Sequence, residues 1–279
     1  MARRLAFLVI AVGVLAAVPS AQAAYPVPFA AQGGEGLLSN DGVSRFVATK
    51  GVGDTSTVVK LLSRSDGATM KTQTIEGSFG IPQLTYKGPA GGLFRDGSAF
   101  VLQSTAYAAT THFKVLGAQD LGIRQEIDLK GTFSFDALSP DASKMYLIQH
   151  TTSDDLQHYV VRAYDLNEHT LLPGRIADRT QKNWVMQGWA VNRTSSADGR
   201  WVYTLYANPG GFPFIHALDS VNGVAHCVGI PWPATDRGQQ QVYGFTLRMK
   251  GKSLDVARGS GATYRFVNTA NWKVTKPGS

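Results

Sequence analysis

A single cysteine, Cys227, leaves no partner for an intrachain disulfide, and it lies too far along the chain to serve as a lipid anchor after processing. Long apolar runs are also missing. The longest, Leu5 to Val18, has 14 residues and stops at Pro19, whereas crossing a bilayer takes about 20. Lys and Arg read as scattered, without a basic cluster, a recognition-helix pattern or a basic stripe interleaved with aromatics, so a nucleic-acid partner is not expected. No Gly-x-Ser-x-Gly elbow, phosphate-binding glycine loop, dinucleotide fingerprint or His-Glu-x-x-His helix occurs. No cofactor and no metal are therefore expected, and the case for catalysis is weakened without being closed. Helical periodicity is lacking too: the longest candidate, Asp154 to Glu168, contains Tyr159-Val160-Val161 and does not keep a 3.6-residue period.

What is present begins with an export signal. Arg3 and Arg4 form a positive start, Leu5 to Val18 a short apolar stretch, and Ala21-Gln22-Ala23 a small-residue cleavage site. Residues 1–23 therefore read as a signal peptide and 24–279 as one mature domain, secreted or at least extracytoplasmic. The formal charge of +7 falls to +5 once the two arginines are removed, a mild excess that bears on solubility first.

A period of about fifty residues organises the rest. The turns Asn40-Asp41-Gly42, Arg95-Asp96-Gly97, Pro140-Asp141-Ala142, Ala197-Asp198-Gly199 and Lys250-Gly251-Lys252 put a marker at 42, 97, 142, 199 and 251. Each is followed by a second turn, at Asp66, Asp120, Asp165, Asp219 and Asn268, and both kinds are flanked by β-branched or aromatic runs. Asp bonds to the backbone two residues on and Gly accepts positive φ, so these are hairpin formers before they are catalysts. Two hairpins per repeat make a four-stranded blade. The expected fold is all-β, a single β-propeller of about five four-stranded blades, with six or more possible if a divergent repeat is hidden. Closing the blades into a ring would avoid broad, aggregation-prone sheet edges.

Two stretches, Leu138-Ser139-Pro140-Asp141-Ala142-Ser143-Lys144-Met145-Tyr146-Leu147 and Ser195-Ser196-Ala197-Asp198-Gly199-Arg200-Trp201-Val202-Tyr203-Thr204, resemble the Ser-Pro-Asp-Gly-x-x-x-aromatic signature of secreted bacterial propellers of the YVTN and TolB-like kind. The segment from Ala190 to Asp219 is similar to a set of uncharacterised exported propeller-like proteins. The resemblance covers most of the mature chain blade by blade. It implies a fold and brings no catalytic residue with it.

In such a propeller the Asp-Gly turns share one face and the longer connections the other, where rigidly held loops tend to carry function. Innermost strands are expected to begin near Phe79, Phe135, Trp189 and Tyr243, ringing the channel mouth, which is the default pocket. The residues singled out as ligand-binding candidates are His150, His158, Asp178, Trp184, Trp189, Trp232 and Tyr243. His150, Asp154, Asp155 and His158 place nitrogen and oxygen donors within nine residues, but the spacing matches no metal signature and reads as a solvated polar loop. Trp184, Trp189 and Trp232 suit stacking on sugar rings, and equally suit wedging blades together, the reading favoured here. Cys227 alternates as a strand residue does and reads as an inert, half-buried thiol. Asn192-Arg193-Thr194 matches a glycosylation acceptor too common to weigh.

These features point to a monomeric, non-enzymatic module that binds a protein or glycan, or scaffolds, through its loop face. The alternative is a propeller hydrolase acting on a carbohydrate or lactone, with Asp136, Asp178, His150 or His158 as acid-base groups. A structural cell-envelope protein without a small-molecule pocket is a third class. If the first 23 residues are an export signal, mass spectrometry of secreted material should find the mature terminus near Ala24; an intact Met1 in that material would refute the assignment.

Overall fold

The structure is a computed structural model and describes residues 30–278 apart from 86–87, 107, 179, 181–184, 209 and 237. The export segment and Trp184 lie outside the described residues. The chain forms five antiparallel sheets, each built from strands consecutive in sequence, the arrangement of a five-bladed β-propeller. Blade one holds Leu37–Leu38, Ser44–Lys50, Ser56–Ser63 and Thr69–Glu76. Blade two holds Phe79–Pro82, Ala99–Ser104, Thr110–Gly117 and Ile123–Lys130, with Ala30–Ala31 added beside its innermost strand. Blade three holds Phe133–Leu138, Lys144–His150, His158–Asp165 and Thr170–Leu171, and Met186–Gln187 pairs with the other end of its third strand. Blade four comprises Trp189–Ser195, Trp201–Ala207, Phe214–Asp219 and Val224–Gly229; blade five comprises Thr246–Lys250, Ser253–Ala257, Thr263–Asn268 and Val274–Thr275.

The hairpins form where the Asp-Gly pattern places them, for a local reason repeated in three blades. Ser39, Ser139 and Ser196 each donate their hydroxyl to the turn aspartate two residues on, at 2.6 Å, and accept the backbone N–H of the residue that starts the next strand. Each aspartate also accepts the backbone N–H two residues further along. Gly42, Gly97 and Gly199 sit at φ of 71°, 75° and 76°, and the matching position in blade three is Ala142, at φ 55°. These bonds hold the Asp141 carboxyl down to about 2, with the Ser139 hydroxyl the main cause.

Four hydrophobic clusters stack the blades. They join blades one to two around Phe46, Val59 and Phe100, two to three around Phe113, Phe133 and Leu147, three to four around Tyr146, Tyr159 and Leu218, and four to five around Leu205, Ile215 and Val256. Among the described residues none joins blade five to blade one, so the expected ring closure is not carried by an apolar core. The reason is compositional: the face that blade five turns away from blade four is lined by Lys250, Ser253, Asn268 and Lys273.

Tyr243 does not begin an innermost strand. Gln239 adopts φ 53°, and the bonds Val242 N to Gln239 O and Phe245 N to Val242 O close a 3-10 turn over Gln240–Gly244 that buries Val242; the strand starts at Thr246. The innermost strand of blade three starts at Phe133, two residues before the expected Phe135.

Two substitutions test the turn argument. A Cβ at Gly199 would lie 2.6 Å from Arg95 Nη1, so Gly199→Val should cost roughly 1 to 3 kcal/mol. Ala142→Gly removes the left-handed strain and should stabilise by about 0.5 to 1 kcal/mol. Denaturant midpoints unchanged in both variants would show that backbone strain does not govern these turns.

Candidate functional site

Both long types of connection, within blades and between them, leave from the end opposite the Asp turns, and three cavities open there: one of about 370 Å³ on blade two, lined by Phe79, Ser104, His112, Lys114 and Asp128 among others, and two beside blade four. The larger of the two beside blade four, about 350 Å³, lies between the connection that precedes that blade and its outer strands, and is lined by Asp178, Gln187, Asn208, Phe212, Phe214 and Cys227 among others. Phe212 stands beside it 62% exposed and Val185 39% exposed. The smaller, about 60 Å³, is the channel mouth, lined by Gln83, Leu84, His150, Tyr159, Trp189 and Tyr206. From the turn end the channel is bridged by Arg95, whose Nη2 donates to Ala197 O at 2.9 Å while Asn40 Nδ2 donates to Arg95 O at 2.7 Å.

The residues chosen from the sequence do not converge. His150 is buried, its Nδ1 donating to Leu156 O at 3.1 Å and its Nε2 lying 3.2 Å from Ser134 Oγ, and burial pushes its pKa down to about 4. Asp178 is buried too: Cys227 N donates to its Oδ2 at 2.8 Å, and Thr180 N and Oγ1 donate to its Oδ1. Although burial opposes ionisation, those bonds hold the carboxyl below its ordinary value. His158, at the start of the third strand of blade three, meets Asp155 Oδ2 of the preceding loop through Nδ1 at 2.6 Å, partly exposed, and lines neither of these cavities. Trp232 donates Nε1 to Asp236 Oδ2 at 3.2 Å and meets Phe245 and Tyr264 edge-on at 5.2 and 5.4 Å, so its ring is largely engaged in packing. Tyr243 packs against the same cluster. Asp178 alone lines the larger cavity; His150 and Trp189 share the smaller one.

A polar row that the sequence did not announce links these places. The innermost strand of blade three bulges at Asp136, freeing its carbonyl from the ladder. Arg193 takes up both the carbonyl and the carboxylate of Asp136, and its Nε donates to Thr204 Oγ1 at 2.8 Å. Thr204 is opposite His216 and His216 opposite Cys227, so the row crosses blade four from the channel to the larger cavity. His216 Nδ1 lies 3.7 Å from Cys227 Sγ. Burial pushes His216 down to about 4 and the Cys227 thiol up to about 12, with Asp178 adding to the latter. A neutral imidazole beside a protonated thiol is not a nucleophilic pair. Arg193 had drawn notice only inside the glycosylation pattern; no local signal marks it, because its partner is 57 residues away. The side chain of Asn192 accepts Leu247 N at 2.8 Å, tying blade four to blade five. Also unannounced is a surface pair, His112 Nδ1 with Asp128 Oδ1 at 2.6 Å, on the outer strands of blade two. Among the described residues, no group of three or more His, Cys, Asp or Glu is arranged to hold a metal ion, and no helix is long and apolar enough to cross a membrane.

No protein-family profile and no curated protein matches the chain. Solved structures do. The Dos1 propeller aligns at a TM-score of 0.50 and 8% identity over 87% of this chain and 57% of its own. TolB from Acinetobacter baumannii aligns at 0.45 and 11%, over 85% and 52%. A proposed 6-phosphogluconolactonase from Bacteroides uniformis aligns at 0.47 and 14%, over 86% and 68%. The chain thus spans little more than half the length of the first two. At these identities the Dos1 likeness concerns the propeller fold alone, and the other two carry no further argument.

The buried histidines set a pH dependence. Their folded pKa values, about 4, lie below the ordinary 6.5, so between pH 6.5 and 4 the unfolded chain binds more protons and stability falls as pH falls. Each histidine should remove roughly 1 to 3 kcal/mol across that window. The denaturant midpoint should drop from pH 7 to pH 4.5, less steeply in His216→Gln; a flat midpoint in the parent would contradict the burial argument.

Proposed function

We propose that this propeller is an exported, monomeric binding module that takes its ligand on the loop face, in the cavity between the third and fourth blades. The observation that carries the reading is a contrast. The acid-base groups weighed for catalysis at the two cavities beside blade four and in the channel, His150, Asp178 and Asp136, are buried and held by the protein's own donors and acceptors. Phe212, by contrast, is offered to solvent at the rim of a cavity of about 350 Å³, a size within the range of small-ligand sites. Exposing a phenyl ring carries no benefit to the fold, and a ring at a cavity rim buries apolar area on binding with little loss of side-chain freedom. The ligand that suits this lining has an apolar face against Phe212, Val185 and Phe214 and a polar edge toward Asn208 and Gln187. A saccharide ring or an aromatic side chain of a partner protein has that form. Asp178 acts here as an anchor, fastening the connection that precedes blade four to the outermost strand through Cys227 N.

The hydrolase reading needs a group able to exchange a proton with bound substrate, and nothing lining the cavity beside Phe212 supplies one in the open; the exposed His112–Asp128 pair belongs to the separate cavity of blade two. A glycan and metabolite screen by thermal shift on the mature protein will find the ligand. Phe212→Ala should then weaken binding by about 1 to 3 kcal/mol and leave the melting temperature nearly unchanged. Unaltered affinity would move the site elsewhere, and turnover of a lactone or glycoside that is lost in His150→Gln or Asp178→Asn would replace binding by catalysis.

A further inference from the structure

Net charge is confined to one blade. From Thr246 to the C-terminus the chain has seven basic residues against Asp255 alone, a net +6, whereas residues 24–245 sum to −1. The impression of scattered Lys and Arg does not hold for blade five. Side chains alternate across a strand: Leu247, Leu254, Val256 and Val267 pack toward blade four, which turns Lys250, Ser253, Phe266 and Asn268 to the other side. The register sets Lys250 opposite Ser253, Ser253 opposite Asn268 and Phe266 opposite Thr275. These residues, with Lys252 and Lys273 from the two turns, line a notch of about 410 Å³. Lys250 Nζ lies 3.0 Å from the buried Asp255 carboxylate.

We propose that this notch binds an acidic polysaccharide, holding a carboxylate or sulfate on a sugar ring between Lys250, Lys252 and Lys273. Lys252 and Lys273 share one concavity with Lys250, whose charge Asp255 offsets in part, and a bound anion relieves the repulsion that remains. Phe266, half-buried in the lining, presents a ring to the apolar face of a sugar, while Ser253, Asn268 and Thr275 offer hydroxyl and amide partners to its hydroxyl groups. A single-stranded nucleic acid calls for a basic groove with successive stacking rings, and a membrane surface calls for exposed apolar side chains beside the cations; the notch has one half-buried ring and neither pattern. The proposal does not rest on the loop-face reading, because the notch lies at the turn end of a different blade.

The test uses the mature protein with four probes: polygalacturonate, neutral dextran, an oligothymidylate and phosphatidylglycerol vesicles, at several salt concentrations. Polygalacturonate should bind with an affinity that falls as salt rises, and dextran should not bind. Lys252→Gln with Lys273→Gln leaves the Lys250–Asp255 pair intact, and should weaken polygalacturonate binding at least tenfold and reduce its salt slope by about one to two. Phe266→Leu should weaken it severalfold at unchanged slope, whereas Lys130→Gln with Arg175→Gln, the same charge loss on blades two and three, should change it less than threefold. Equal losses in the two double variants would mean attraction to bulk charge and would overturn the site. Tighter binding of the oligonucleotide or the vesicles, lost in the Lys252 and Lys273 variant, would overturn the ligand. Phe212→Ala should leave all of these titrations unchanged, which separates failure here from failure of the loop-face proposal.

Discussion

A four-stranded blade has two faces, and a fold of stacked blades is stable only insofar as those faces are hidden against each other. Side chains alternate along each strand, so a blade with a neighbour on both sides reads as nearly continuous apolar strand, as in Phe133–Leu138 and Ala99–Ser104, where all but one residue is buried. Blade five meets this demand on one side. Its inward residues join the cluster around Ile215 and Val256, and its outward ones are lysine, serine, asparagine and threonine with a single half-buried phenylalanine. Blade one has a related asymmetry: its outermost strand, Thr69–Glu76, is exposed except at Ile75, and Leu38, Val43 and Met70 are all solvent-facing.

Apolar stacking fixes distance between blades better than it fixes register. The third and fourth blades add a polar constraint in Arg193, whose guanidinium reaches the bulged, buried Asp136 and the buried Thr204 beside the channel. Removing two charges from water is costly, and such a pair is often no more stabilising than apolar residues of the same shape; losing one partner alone, however, leaves an uncompensated buried charge. The bulge makes the pairing possible. It frees one carbonyl and turns one carboxylate toward the neighbouring blade, so a local irregularity in one strand determines how two sheets meet.

The sequence revealed what is decided within five or six residues and concealed what is decided across blades. The Ser-x-Asp-Gly turns were legible because the serine, the aspartate and the glycine act on one another locally, and even Ala142 could be placed by analogy with Gly199. His150 and Asp178 were misleading in isolation. Polar residues in a long loop look available, yet their burial depends on Ser134, Leu156 and Cys227, which no spacing rule connects to them. The cations of blade five were missed for the opposite reason: Lys250, Lys252 and Lys273 look dispersed along the chain and become neighbours only through strand register. Tyr243 was misplaced because the turn ahead of it depends on Gln239 adopting a left-handed conformation that glutamine rarely takes.

The polar row of blade four also bears on how the loop face could work. It ends at Cys227, whose backbone N–H fixes Asp178, whose other oxygen fixes Thr180, at the start of the connection that borders the larger cavity. The base of that cavity is thus fastened to the same strands that carry the Arg193 contacts, and the connection that carries Phe212 is held in turn by the Gln239 side chain, which bonds Asn208 N, Asn208 O and Gly211 O. Binding at a site whose floor and rim are both held in place costs little ordering. In the notch of blade five the cations are lysines, whose long stems leave the ammonium groups free to adjust while the sheet beneath them is fixed by its ladder. The two places stand on neighbouring blades joined by the cluster around Ile215 and Val256 and by the Asn192 bond to Leu247 N, so each rests on a sheet that the other helps to hold.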